Sequence, residues 1–508
     1  MATLKELTRR IGITGTNFED FDRECGIPRT NSLKCGAGDT FIAIKGGSAD
    51  GHDFICTAVQ HGASLIVCER VTPYLASHPE IPYITVENTR LAAAHMWNEL
   101  CGRPAERLIA VAVTGTNGKT STTYFLREIF KRAGYVTGVI GTVRCLIGDS
   151  SEALSDSDVS KVNSMTTPPP ELLYPTLKRM VDAGVEIVFM EASSHALEQS
   201  RLDPIRFTLG IFTGLTQDHL DYHCSMEAYY AAKRRLFSMC GAAVINMDDP
   251  YGKRLSSDVR IPCVGYGLSS DNTAFRAENV VTDSADGICY TLCDKNERYG
   301  ISCPVAGGFT VYNTLAAIAA ARLFAVKSGV IASALADCRQ VPGRMERVKL
   351  PEGSDYEIFI DYAHTPDALE KVLGTMLAFV KPGGRLVAVF GCGGDRDRTK
   401  RQVMGRIATS IADLTVITGD NSRTENPRAI ICDILRGAAD GADCKVIERR
   451  ESAIRYVIEN HLPGDVILLA GKGHEDYEID ADGKHRFSET EIIERVVSEI
   501  SLRASSDR

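Results

Sequence analysis

Seven times along this chain a short apolar run stops abruptly at a glycine-rich or charged motif. LIAVAV precedes TGTNGKTST, EIVFM precedes Glu191, and FTLGIF precedes TGLTQDHLDYH. Further on, IFIDYAHTPD, LVAVFGCGGDRD, LTVITGDNSRTENP and VILLAGKGHEDYE repeat the theme, with helical patterns between them. Short buried strands alternating with helices pack as mostly parallel α/β sheets, and such sheets gather ligands outside the carboxyl ends of their strands. The motifs therefore sit where an open sheet puts its chemistry, and those of the middle stretch suggest one shared site.

At 508 residues the chain exceeds a single core, and about three domains is the natural division. Residues 1–107 form a small α/β unit with strand candidates at 39–46, 64–70 and 82–88, ending in the linker-like stretch Cys101 to Pro104. Residues 108–340 carry the phosphate-loop pattern, and within them residues 270–305 read as an antiparallel excursion followed by a helix over 311–327. Residues 341–508 read as a second nucleotide-fold-like unit. The fold class expected is α/β in three domains, with a central P-loop ATPase-type, mostly parallel sheet and a C-terminal Rossmann-like domain.

A net charge of −9 argues against electrostatic binding to nucleic acid or a membrane surface. No run approaches the ~20 apolar residues of a membrane span, and the start MATLKELTRRIG lacks the apolar core of a signal peptide. Sixteen scattered cysteines without a C-x-x-C pair point to reduced thiols in a cytoplasmic protein.

TGTNGKTST, Thr114 to Thr122, lies at a strand-to-helix junction. Its spacing, Gly115-x-x-Gly118-Lys119-Thr120, is shorter than the usual phosphate loop because Val113 stands where the first glycine is expected. Backbone N–H groups around such glycines close on phosphate, the lysine supplies a mobile cation, and the Thr120 hydroxyl suits Mg²⁺. A nucleoside triphosphate is the expected ligand. Glu191 stands at a strand end, where P-loop enzymes place an acidic metal ligand, and reads equally as a surface acid. His219 reads as a metal ligand or as a hydrogen-bonded structural histidine. Lys233, taken alone, reads as a solvated helical lysine.

The strings TGTNGKTST, TTPPP, MEASSHALEQSRLD, TGLTQDHLDYH, AAKRRLF, DYAHTPDALEKVL, FGCGGDRDR, GDNSRTENP and AGKGHEDYE occur in the order seen in Mur ligases, and the chain resembles that family over roughly residues 30–480. Within the family they are similar to the branch that adds meso-diaminopimelate to UDP-N-acetylmuramoyl-L-alanyl-D-glutamate. The resemblance implies ATP-dependent amide formation through an acyl phosphate in peptidoglycan precursor synthesis, by a cytoplasmic enzyme acting as a monomer. It implies ATP contacts at Gly115, Thr116, Asn117, Gly118, Lys119, Thr120, Ser121, Asn313, Arg344 and Asp361. Lys119, His219 and Lys233 become catalytic; Thr120, Glu191, His219 and Lys233 become the Mg²⁺ site, with Lys233 carbamylated to N6-carboxylysine. A carbamate resolves the difficulty of an ammonium beside a cation, and forming it requires a depressed amine pKa.

The resemblance places the nucleotide-sugar peptide at Asn31, Ser32, Thr166, Thr167, Ser193, Gln199 and Arg201. The first domain departs from the family pattern, reading TNSLK with Leu33 where an arginine is common. The amino acid falls to Arg396, Asp420, Asn421, Arg423, Gly471 and Glu475. The family motif D-N-P-R here reads Asp420-Asn421-Ser422-Arg423, which keeps the arginine and loses the proline. An arginine facing the distal carboxylate of diaminopimelate would select it over lysine. Lysine as the added amino acid, a folylpolyglutamate-synthase-like ligase, and a P-loop ATPase switch or binding module are the alternatives. The separate unit before the phosphate loop disfavours the second, and the C-terminal motifs are unexplained by the third.

Overall fold

The computed structural model describes residues 3–47, 49–148, 165–269, 273–295 and 297–506, without the side chains of residues 283 and 503–506. Its backbone is organised by three successive sheets. The first has five strands in the spatial order Ile13–Thr16, Tyr83–Val86, Leu65–Cys68, Thr40–Ile42, Pro28–Arg29. All neighbours are parallel except Ile13–Thr16, which runs antiparallel beside Tyr83–Val86.

The second sheet has ten strands. Its parallel heart runs Phe275–Ser284, Cys263–Gly267, Cys240–Asn246, Phe207–Phe212, Ile109–Thr114, Ile187–Glu191, Thr137–Ile140. Antiparallel strands extend both ends: Leu146–Ile147 at one, and Gly287–Cys293 with Arg298–Cys303 at the other. The latter pair is the antiparallel excursion expected from the alternating run at 270–305. Helix Lys119–Arg132 packs on one face with Gly308–Leu323, whose residues are mostly apolar and mostly buried. Pro170–Asp182 and Met226–Arg234 cover the other face, together with Trp97 from helix Thr89–Leu100 of the first unit. That shared apolar layer ties the first sheet's helix to the second sheet. The helix expected over 311–327 runs Gly308–Leu323, ending in a turn before Lys327, which flanks a second helix, Ser328–Ala336.

The third sheet runs Glu346–Arg347, Glu357–Asp361, Val466–Ala470, Leu386–Phe390, Leu414–Ile417, Cys444–Val446, parallel apart from its first, two-residue strand. Its four longest strands are buried on both faces, as their continuous Val/Ile/Leu/Phe runs require. A small hairpin, Tyr477–Asp480 with Gly483–Arg486, follows the GKGHEDYE motif.

In the second sheet Ile109–Thr114 lies between Phe207–Phe212 and Ile187–Glu191, with Val113 opposite Glu191 and Thr114 opposite Phe212. The register brings the phosphate loop, Glu191 and the loop after Phe212 to one edge. All sixteen cysteines are free thiols. Among the described residues no helix is long and apolar enough to cross a membrane.

Candidate active site

The phosphate loop is shaped by its glycines. Gly115 has φ +149°, and a Cβ there would lie 1.9 Å from Thr213 Oγ1. Gly118 has φ +82°, and a Cβ would lie 2.4 Å from Asn313 Oδ1. Thr213 Oγ1 donates to the Asn117 carbonyl at 2.6 Å and Thr116 N donates to the Gly214 carbonyl at 2.9 Å, clamping the loop to the neighbouring strand end. Helix Lys119–Arg132 begins at Gly118 with no side-chain cap, so its first N–H groups are left for an anion. The Lys119 ammonium folds back onto the carbonyls of Gly115 and Thr116, at 3.0 and 2.7 Å.

A cavity of about 470 Å³ opens over this loop. Its wall includes Thr116 to Ser121, Glu191, His219 and Asn313 from the second unit and Arg344 and Asp361 from the third. The two units touch directly across it. Arg344 Nη2 donates to Thr120 Oγ1 at 3.2 Å, and Asn117 Nδ2 donates to Asp367 Oδ2 at 3.0 Å. His474 Nε2 lies 3.1 Å from the Thr142 carbonyl. Asp361 accepts from Met345 N at 2.7 Å, and burial raises its carboxyl above the usual range.

Glu191 is 1% exposed, and Thr142 orients both its oxygens, donating from N and from Oγ1 at 2.9 Å each. His219 sits at φ +53° after Asp218, whose carboxylate lies 3.3 Å from Nε2. Burial outweighs that carboxylate and lowers the proton affinity of His219, leaving a neutral imidazole.

Lys233 corrects the reading of it as a solvated helical lysine: it is 1% exposed. Its Nζ donates to the Gly115 carbonyl at 2.7 Å and lies 4.7 Å from the centre of the Tyr229 ring. Burial, reinforced by the Lys119 charge, drives its pKa well below the ordinary lysine value. Helical periodicity alone could not show this, because the Gly115 carbonyl that receives it lies in a loop 118 positions away.

Hard oxygen donors suit Mg²⁺, and the Thr120 hydroxyl and the Glu191 carboxylate both face the cavity. Among the described residues no group of three or more His, Cys, Asp or Glu stands ready to hold a metal. The donor set fits an ion that completes its shell with phosphate oxygens and water, the usual habit of Mg²⁺.

Thr166, Thr167, Ser193, Gln199 and Arg201 form one hydrogen-bonded surface next to Glu191. Thr166 Oγ1 lies 3.0 Å from Thr142 Oγ1, which accepts from it; Thr167 Oγ1 donates to the Glu191 carbonyl at 2.7 Å, and Ser193 N to Thr167 Oγ1 at 3.0 Å. Arg201 donates to the Thr167 carbonyl and to Gln199 Oε1, each at 2.7 Å. Ser193 also caps helix Ser194–Glu198. Asn31 and Ser32 belong to the first unit and do not line the cavity; Asn31 Oδ1 caps the turn Ser32–Lys34, and Leu33 is 69% exposed.

The amino-acid candidates cluster at the strand ends of the third sheet. Asn421 Nδ2 donates to Glu475 Oε2 at 2.8 Å, and Asn421 Oδ1 accepts from Lys472 Nζ at 3.0 Å. Arg423, at φ +51°, donates to the carbonyls of Gly394 and Asn421 at 2.8 and 3.2 Å. Burial and the charge of Arg396 lower its pKa, so two guanidinium groups share one neighbourhood, an arrangement that favours an anion between them. Ser422 is buried, and Thr424 on its far side donates to Asp395, so the loop is held without the proline.

Sequence reasoning passed over Thr142, Asp218, Tyr362, His364, Asp367 and Lys472. Asp218, Tyr362, His364, Asp367 and Lys472 lie inside quoted motifs, so proximity to a named residue was the available signal. Thr142 carried none.

Three segments match families described as Mur ligase family, catalytic domain (residues 29–102), Mur ligase middle domain (residues 113–321) and Mur ligase, glutamate ligase domain (residues 343–473). A relative from Clostridium botulinum, named UDP-N-acetylmuramoyl-L-alanyl-D-glutamate--2,6-diaminopimelate ligase, is 40% identical over 471 residues, covering 92% of this chain and 94% of its own. A solved structure with the same name aligns with TM-score 0.66 at 28% identity over 98% of this chain and 99% of that one. The structure of MurF ligase from Thermotoga maritima in complex with ADP shares the fold, with TM-score 0.60 at 18% identity over 94% of this chain and 98% of that one.

Proposed function

The chain belongs to the Mur ligase family, and on that premise we propose that it joins meso-diaminopimelate to UDP-N-acetylmuramoyl-L-alanyl-D-glutamate using ATP, in peptidoglycan precursor synthesis. The observation that carries the reading is the meeting of the phosphate loop and Glu191 with Arg344 and Asp361 around one cavity, beside the Arg396–Arg423 corner.

A carboxylate is a poor electrophile, so amide formation in water needs activation. A carboxylate oxygen of the D-glutamyl residue attacks the γ-phosphorus of ATP, the bond to the bridging oxygen breaks, and ADP leaves. The amine of the incoming amino acid then attacks the carbonyl carbon of the acyl phosphate. The tetrahedral intermediate expels phosphate, and the amine proton passes to solvent. Catalysis of both steps is chiefly positioning and charge neutralisation.

The uncapped helix start at Lys119 and the loop N–H groups hold the phosphates. Lys119 exchanges the Gly115 and Thr116 carbonyls for phosphate oxygens, and Arg344 stands over the same end from the third unit. Thr120, Glu191, His219 and a carbamylated Lys233 would hold Mg²⁺, which when bound screens the triphosphate charge. The depressed pKa of Lys233 keeps a neutral amine that combines with CO₂, releasing a proton and leaving a carbamate anion. Thr166, Thr167, Ser193, Gln199 and Arg201 would orient the nucleotide-sugar peptide. Arg396 and Arg423 would pair with the distal carboxylate of diaminopimelate, with Asp420, Asn421, Gly471 and Glu475 around the rest. The bridges between the second and third units keep water from the acyl phosphate.

A panel of amino acids incubated with ATP and UDP-N-acetylmuramoyl dipeptide, read by product mass and phosphate release, tests the reading. The expected result is a new amide product with diaminopimelate. Faster turnover of lysine reassigns the amino acid, and phosphate release that ignores both co-substrates rejects the ligase.

A further inference from the structure

Arg401, on the first turn of helix Thr399–Ile411, is 1% exposed. A guanidinium withdrawn from water needs partners, and it finds them on two loops. Nη2 donates to Glu425 Oε1 at 2.8 Å and Nη1 to Glu425 Oε2 at 3.1 Å, a two-pronged ion pair. Nη2 also reaches the Gly393 carbonyl at 3.3 Å, and Nη1 the Asp433 carboxylate at 3.0 Å. Glu425 Oε1 accepts in addition from Asp395 N at 2.6 Å. The Asp395 carboxylate returns the contact, accepting from Thr424 N at 3.1 Å and from Thr424 Oγ1 at 2.8 Å. Arg401 and Glu425 thus stitch the loop after strand Leu386–Phe390 to the loop after strand Leu414–Ile417.

Those two loops carry Arg396 and Arg423. Asp395, one residue before Arg396, has φ +52°, and Arg423 itself has φ +51°. Left-handed backbone at residues with a Cβ persists only where the surroundings fix it, and Glu425 and Thr424 fix Asp395. The two arginine side chains converge over Gly393: a Cβ there would lie 2.9 Å from Arg423 Nη1 and 3.8 Å from Arg396 Cγ. Like charges brought this close repel each other, so the loops beneath them must be held. Ser422 has no ring to restrain that backbone.

We propose that the Arg401–Glu425 pair is a positioning element for substrate selection, holding Arg396 and Arg423 in the register that admits an amino acid with a distal carboxylate and disfavours one without. The inference rests on the ligase reading given above and deepens it. Neither Arg401 nor Glu425 lines the nucleotide cavity. When the pair is lost, the seam between the loops loosens and the two guanidinium groups separate under their own repulsion, while the phosphate side is untouched. A pair that merely stabilised the third unit would alter unfolding and leave the choice of amino acid as it was.

Glu425→Gln separates the two, since it keeps the side-chain shape and one acceptor for Arg401 and removes the charge. Rates of amide formation are measured with diaminopimelate and with lysine, the latter in large excess where its rate is low, at saturating ATP and UDP-sugar dipeptide. Unfolding is followed on the same preparations. KM for diaminopimelate should rise at least about 10-fold, within the scale expected from misplacing a binding group by about 1 Å. Its kcat, the KM for ATP and kcat/KM for lysine should stay within about twofold of wild type, the pattern of lost ground-state binding, so that the preference for diaminopimelate narrows. A lowered unfolding midpoint with the preference unchanged, or an equal loss for both amino acids, overturns the proposal. Should Glu425→Gln not fold, Thr424→Val, at an exposed site on the same seam, removes the hydroxyl bonds to Asp395. It is read by the same preference: a narrowed one supports the proposal and an unchanged one overturns it. A wild type that prefers lysine also overturns it. A wild type that yields no amino-acid-dependent product rejects the ligase reading, and the proposal with it.

Discussion

Lys119 and Lys233 donate to the same acceptor, the carbonyl oxygen of Gly115, from 3.0 and 2.7 Å. Two ammonium groups on one carbonyl repel each other, and burial removes the water that would screen them. Each lysine has its pKa lowered, with burial the leading cause for both. Lys233 is the more deeply shifted, and its neutral amine suits carbamylation. Lys233→Ala should reduce amide formation by at least about 100-fold, the scale for losing a preorganised charged group. Short carboxylic acids such as acetate should restore part of the rate. Full activity in Lys233→Ala, measured by product formation, would remove the residue from the mechanism.

Gly115→Ala tests the phosphate loop. The new methyl would overlap Thr213 Oγ1 at a backbone φ of +149°, so both the clamp and the loop conformation must give. Strain of this kind costs about 1–3 kcal/mol, and the expected outcome is a lower unfolding midpoint with weakened ATP binding. Gly134→Ala, at a helix end with open space around it, should leave ATP binding unaffected.

The pH dependence of stability should carry the signature of half-buried neutral histidines. Burial lowers His474 to about 3 and His364 to about 4, whereas both titrate near 6.5 in the unfolded chain. Between those limits the unfolded state binds more protons, so stability is intact above pH 6.5 and is lost as the pH falls toward 4 and then 3. Urea midpoints at pH 7 and pH 5 should show the drop. His474→Gln should flatten it; an equal slope in the variant would assign the effect elsewhere.

Arg423→Ala should lower kcat/KM for diaminopimelate by about 10- to 100-fold, the scale for a charge-assisted pair worth about 1.5–3 kcal/mol. Turnover of lysine, which lacks the distal carboxylate, should change far less. A competition assay with both amino acids reads the ratio directly, and an equal loss for both would show that Arg423 holds the loop without choosing the ligand.

Much of the architecture was legible because parallel sheets hide their strands. Runs such as VILLA and LVAVF are buried on both faces, so they stand out as continuous apolar stretches that end where the chemistry begins. Ile13–Thr16 and Pro28–Arg29 escaped notice for the opposite reason. The first alternates half-buried and exposed positions at a sheet edge, and the second spans two residues, too few to show a period. The loop, Glu191 and His219 were found because each follows a strand. The burial of Lys233 was not, because the Gly115 carbonyl that closes over it comes from a loop 118 positions away. Bridges such as Asn117 to Asp367 likewise join residues about 250 positions apart, where one sequence offers no signal.

The phosphate loop and the Arg423 loop hang from sheets that share no strand. Drift in the choice of amino acid can thus be explored by substitutions in the third sheet's loops while the energy-yielding chemistry stays intact. The contacts between the units limit that freedom. A lineage that changes its amino acid can vary Arg396, Ser422 or Arg423 one at a time, but not the bridges from Arg344 to Thr120 and from Asn117 to Asp367 through which the two units meet.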